Sequence, residues 1–216
     1  MEATSPLAVQ ARATGWMFPA LLTLPLALAF WTLSFAWQPI NFWVLMGVAT
    51  GTLGAVSVLL GVRPFDRLPT AGDIAIGVAS GVALYGVFWV GDKVATAILP
   101  FAPEQVSDIY DLRSRASLIR IGLLLALVVG PGEEIYWRGL VQSAFVRRWG
   151  VVAGTAAAIA AYAGVHLVAG NLMIVVAAGV AGTAWAAIYA WRGNLWPVLI
   201  SHVLWDLMIF IWFPIT

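Results

Sequence analysis

Long apolar runs without a single charge are the feature that most restricts this chain, because they decide its solvent. A helix rising about 1.5 Å per residue needs about 20 residues to cross a hydrocarbon core about 30 Å thick. Stretches 16–36, 41–62, 150–169 and 171–191 reach that length with no Asp, Glu, Lys or Arg. The whole chain of 216 residues is 62% apolar and 10% charged, against roughly 25% charged in an ordinary soluble domain. Such a chain cannot build a water-facing surface. Inside a bilayer every backbone N–H and C=O must be paired within the protein, which leaves helices or closed barrels. Barrel strands alternate apolar and polar residues with period two, whereas these runs are continuously apolar. The expected fold is therefore all-α, a polytopic transmembrane helix bundle of about seven helices in one integral membrane domain, 1–216.

Candidate spans are 16–36, 41–62, 74–99, 118–147, 150–169, 171–191 and 194–213. Turn chemistry separates them at Gln38-Pro39, at 63–73 with its two prolines, at Gly170-Asn171 and at Gly193-Asn194. The first run is too long for the core of a signal peptide and has no clear small-residue cleavage site, so it is expected to stay as the first helix. Trp16, Trp37, Trp43, Trp149, Trp191, Trp196 and Trp212 lie near span ends, as interfacial anchors do. An N-terminus on the inside would gather Arg12, Arg63, Arg67, Arg147, Arg148 and Arg192 on the inner face, the orientation favoured by the positive-inside bias. Opposing it, residues 92–120 mix Lys93, Arg113, Arg115 and Arg120 with Asp92, Glu104, Asp108 and Asp111, and read as an amphipathic interfacial connection. The small residues of Gly150–Ala158 and Ala177–Gly182 read as close helix packing. Cysteine is absent, which excludes disulfides and thiol catalysis, and a net charge of +1 without a basic block gives no nucleic-acid footprint.

An ionisable side chain near the centre of a span costs about 2.5–3.5 kcal/mol on insertion scales, so each one needs a reason to be there. Six stand out away from the ends of the spans of the second half: Glu133, Glu134, Arg138, His166, His202 and Asp206. The two histidines are the only ones in the chain. Counted at the helical rise from ends on one membrane face, Glu134 lies ~20 Å from Arg147, His166 ~22 Å from Val151, and His202 and Asp206 ~12 and ~18 Å from Asn194. Three helices can thus bring their polar groups to a common layer.

Gly130-Pro131-Gly132 is expected to interrupt its span and restart a helix with Glu133 and Glu134 in the first turn, where the helix dipole favours carboxylates. Glu134 precedes Arg138 in the order that suits an i, i+4 ion pair, while Glu133 projects about 100° away. This makes Glu134 the structural acid and Glu133 the reactive one. Two glutamates solvated at a helix end, with Arg138 as local counter-ion, are the competing reading. His166 alone could equally be a hydrogen bond between helices. His202 and Asp206 share a helix face, so the acid can orient the imidazole or accept its proton, although a structural pair would look the same. Tyr162 shares the face of His166 and reads as packing. A carboxylate and an imidazole can deprotonate water while a second imidazole stabilises an oxyanion, which fits peptide-bond hydrolysis. No serine stands in a nucleophile elbow and no second aspartate suggests an aspartyl dyad.

Glu133-Glu134-x-x-x-Arg138-Gly139, Tyr162-x-x-x-His166 and His202-x-x-x-Asp206, in that order and each in its own span, with Leu195-Trp196-Pro197 leading into the third, resemble the CPBP family. These are the CAAX protease and bacteriocin-processing (ABI) enzymes, which include the type II CAAX prenyl endopeptidases. The resemblance covers 118–213. It implies an intramembrane endopeptidase in which Glu133 and His166 activate water, Glu134 and Arg138 support the site, and His202 and Asp206 stabilise the oxyanion. Tyr162 stands where the family usually has Phe, and Asp206 where the prenyl-protein enzymes have Asn. An ionised aspartate cannot donate a hydrogen bond, so a direct oxyanion role needs it protonated or acting through His202.

The implied partners are the lipid bilayer and a membrane-associated protein or peptide substrate, and the expected location is the plasma membrane of a prokaryote. No cofactor is expected. A zinc held by Glu133, His166 and His202 would make the same site metal-dependent, although the helical His-Glu-x-x-His arrangement is missing. The residues also leave open a bacteriocin self-immunity protein and, in a different class, a small proton- or ion-coupled transporter, the latter without an inverted repeat to support it.

Overall fold

The computed structural model describes residues 15–215, so Arg12 of the topology argument lies outside the described residues. These residues form helices and connections, with no strand among them. α1 is Met17–Trp37, α2 Phe42–Leu59, α3 Ala71–Ile98, α4 the short Ala102–Asp111, and α7 Leu172–Arg192. Leu118–Ala169 is a helical stretch of 52 residues. Gly150 divides it, with φ 81° and ψ 171°, a backbone conformation closed to residues with a Cβ. The two halves are α5 (118–149) and α6 (151–169), and the shorter apolar helix Trp196–Trp212 is α8. Among the described residues this makes seven apolar helices, at nearly the positions read from hydropathy, plus α4.

Helix ends follow local chemistry. The side chains of Asn41, Thr70 and Asn171 accept N–H groups at the starts of α2, α3 and α7. The sides facing away from the bundle are apolar: Val78, Val82 and Trp89 of α3, Leu123 and Leu127 of α5, and Val152 of α6 are all exposed on the protein surface. In water these would be contiguous aggregation patches; in a bilayer they meet acyl chains. The terminal tryptophans divide. Trp37, Trp149, Trp191 and Trp212 are exposed as anchors should be, but Trp43 is buried and donates from Nε1 to the Leu112 carbonyl at 2.7 Å.

The expected restart at Gly130-Pro131-Gly132 does not occur. Val129 and Gly130 keep helical dihedrals, and the residues before them, Leu125–Val129, form a π-helical turn in which the Gly130 N–H donates to the Leu125 carbonyl. A wider turn takes up the proline ring and its missing donor without ending the helix. A second π-helical segment, Ile135–Gln142, follows. Glu133 and Glu134 thus lie in the middle of a continuous helix, and no free helix N-terminus stabilises them. Their partners must come from other side chains.

α8 carries His202 and Asp206, and α3 seats it. A Cβ at Gly77 would lie 2.6 Å from Ile200 Cβ, and one at Gly81 would lie 3.0 Å from the Ser201 carbonyl oxygen. Two glycines one turn apart therefore let the α3 backbone rest directly on α8. At the same end, buried Asp73 accepts from Arg67 at 2.8 Å and from Arg192 at 3.2 Å, tying the α2–α3 connection to the α7–α8 turn. The hydrogen bond to Asp73 raises the pKa of Arg67 above its ordinary value. α4 is the amphipathic connection expected over 92–120; its Gln105 accepts the Asn171 side chain and the Met173 N–H, docking it against the start of α7.

Candidate functional site

All six ionisable residues singled out in the sequence are buried. The ladder of α5 places Glu134 one turn before Arg138, and Arg138 Nη1 donates to Glu134 Oε1 at 3.0 Å as the i, i+4 spacing implied. α8 adds His202, whose Nδ1 lies 2.7 Å from the same Glu134 oxygen. The i, i+4 acid, Asp206, stands at the other ring nitrogen as the shared helix face implied. His202 Nε2 and Asp206 Oδ2 are 3.6 Å apart, beyond hydrogen-bond range, and Oδ2 has no hydrogen-bond partner among the described residues. Glu134 at Nδ1 and Asp206 beside Nε2 thus flank the imidazole. Trp185 of α7 fixes the ring plane by stacking on His202 at 3.8 Å between centroids and 19° between planes.

Arg138 reaches further. Nη2 lies 3.4 Å from the Gly182 carbonyl, and the guanidinium carbon sits 4.7 Å from the Tyr162 ring centroid and 5.3 Å from that of Trp185. Carboxylate and two aromatic faces together hold a cation that lipid would reject.

Glu133 belongs to a second network. Tyr162 Oη donates to Glu133 Oε2 at 2.9 Å, so Tyr162 is more than packing. His166, one turn later on α6, has Nδ1 2.8 Å from the Tyr162 carbonyl oxygen, while its Nε2 accepts the indole N–H of Trp31 at 3.1 Å. Neither ring nitrogen bonds Glu133. Trp31 does not stand out among the tryptophans when only those at span ends are taken as informative. Its signal was a tryptophan inside an apolar span, whose N–H must find a partner away from water. Trp137 and Trp185 are also away from span ends and also line this region. A cleft of about 460 Å³ opens between α4, the end of α1 and the α6–α7 turn, and Phe35 belongs both to its wall and to the rings around His166.

Residues 115–208 match the family profile of the Rce1-like type II CAAX prenyl endopeptidases. The likeness covers 94 of the 216 residues. All three sequence motifs, and thus every residue of the two networks except Trp31, fall within it. No curated protein and no solved structure matches the chain. The Rce1-like segment runs from α5 into α8, and α1 to α3 pack around it.

The residues do not fit a zinc ion as they stand. Among the described residues no three His, Asp or Glu side chains converge as ligands. The Nε2 lone pair of His166, which a metal would need, is occupied by Trp31.

Proposed function

We propose that this chain is an intramembrane endopeptidase that hydrolyses a peptide bond of a membrane-associated or prenyl-type protein or peptide, using a water activated by Glu133 together with His166. The Rce1-like match supports the general class, a CAAX-type intramembrane endopeptidase. The observation that carries the finer reading is the division between the two glutamates. Glu134 is consumed by Arg138 and His202, whereas Glu133 is held by a neutral donor, the Tyr162 hydroxyl, and keeps a carboxylate free to accept a proton.

In the reaction Glu133 takes a proton from water as the water oxygen attacks the carbonyl carbon. The tetrahedral oxyanion collapses, the C–N bond breaks, and the leaving amine takes the proton back from Glu133. His202 is anchored through Nδ1 to Glu134, which leaves Nε2 to donate, in the doubly protonated ring, to the developing oxyanion. Asp206, beside that nitrogen, orients the ring and balances its charge. Arg138 is the structural counter-ion of the pair.

Purified protein in proteoliposomes, given a quenched fluorescent peptide with a C-terminal farnesylated cysteine and the same peptide without the lipid, tests this. Wild type cleaves and Glu133→Gln, which keeps the volume but removes the base, does not, while remaining inserted and folded. Retained cleavage by a folded Glu133→Gln protein overturns the assignment. A flux assay on the same vesicles separates the enzyme from a transporter, and comparison of membrane proteomes with active and Glu133→Ala protein identifies the precursor that accumulates.

A further inference from the structure

Both ring nitrogens of His166 are taken. The Tyr162 carbonyl oxygen, 2.8 Å from Nδ1, can only accept, so Nδ1 carries the proton and the lone pair lies on Nε2. Trp31 points its indole N–H into that lone pair at 3.1 Å. An imidazole in this state has nothing with which to take a proton from water. Trp31 comes from α1, outside the Rce1-like segment, and is completely buried, edge-on to His166 at 5.7 Å and to Trp137 at 5.9 Å. Phe35, one turn later, packs on the same imidazole at 5.8 Å. The residue after Trp31 begins a π-helical turn, Thr32–Trp37, so α1 departs from a regular α-helix beside this contact.

We propose that α1 latches the site through Trp31: its N–H holds His166 Nε2, and His166 becomes available to Glu133 and water only when the indole withdraws. This rests on the reading of His166 as the partner of Glu133. If the open form is a minor population, the apparent affinity for substrate is reduced by the fraction that is open, and removing one hydrogen bond of ordinary net strength raises that fraction ~2–10-fold.

The test uses the full-length protein with ¹⁵N-labelled histidine imidazoles. With only two histidines in the chain, a His166→Gln sample assigns the signals. Two replacements remove the donor. One is Trp31→Phe; the other puts 3-benzothienylalanine at position 31, keeping the ring shape with sulfur in place of N–H, in case the smaller ring impairs folding. The His166 Nε2 resonance is expected to move downfield, toward the position of a nitrogen without a hydrogen bond, and kcat/KM for the fluorescent peptide to rise ~2–10-fold. An unchanged Nε2 resonance in the benzothienyl protein overturns the bond. A resonance that moves while kcat/KM falls overturns the latch and makes Trp31 a required positioning group. Failure of the enzymatic reading shows separately, as cleavage that survives Glu133→Gln, and leaves the resonance still reporting the Trp31 contact.

Discussion

Glu134→Gln isolates the ion pair at the centre of the bundle. Glu134 and Arg138 are 1% and 2% exposed, so neither charge has water to fall back on. The replacement keeps the volume and one accepting oxygen for His202 Nδ1, but it leaves Arg138 without its anion. The remaining partners are the Gly182 carbonyl at 3.4 Å and the faces of Tyr162 and Trp185. Breaking a buried pair from one side costs about 3–5 kcal/mol, so the folded-to-unfolded ratio should fall by a factor on the order of 10²–10³ or more. Reversible unfolding of bicelle-reconstituted protein with SDS measures this. Glu134→Gln combined with Arg138→Met removes both charges and should recover most of the loss, since a buried pair replaced by apolar residues of similar size is often near neutral. A single variant as stable as wild type, or a double variant no better than the single, refutes the reasoning.

Tyr162→Phe keeps the ring beneath Arg138 and removes only the hydroxyl on Glu133; kcat/KM should drop ~10–100-fold, the worth of a hydrogen bond to a charged group, with little change in unfolding midpoint. Asp206→Asn should retain a measurable fraction of activity, because an amide can donate to the oxyanion, whereas His202→Ala should be far worse; equal and complete loss in both would show that the carboxylate itself is required. Cleavage should persist after prolonged treatment with the membrane-permeant chelator 1,10-phenanthroline, and loss that added zinc restores, with about one zinc per chain by elemental analysis, would make the histidines ligands.

How far the site could be read in advance differs residue by residue. Glu134 and Arg138 were paired from their spacing because both sit on one helix, where geometry is local. The same rule put Asp206 beside His202, 3.6 Å away, but i, i+4 spacing does not say what stands opposite, and it is Glu134 of α5 that bonds the ring. Pro131 invited a helix break, and the π-helical turn before it absorbed the proline instead. Gly77 and Gly81 formed a small-residue pair as visible in the sequence as Gly150 and Gly154, yet it is the former that seats the helix bearing His202.

The sequence by itself determined the solvent, the apolar helices suited to it and the residues too polar to be there without a purpose. Those properties depend on run length and on spacing within one helix. Which glutamate meets His202, and which group fills the lone pair of His166, were decided only by tertiary structure. A span that is apolar all round carries almost no signal of how it is rotated about its own axis. Rotation and depth are settled when helices pack, by glycine contacts such as Gly77 on Ile200 and by buried N–H groups such as that of Trp31 seeking an acceptor where water is absent.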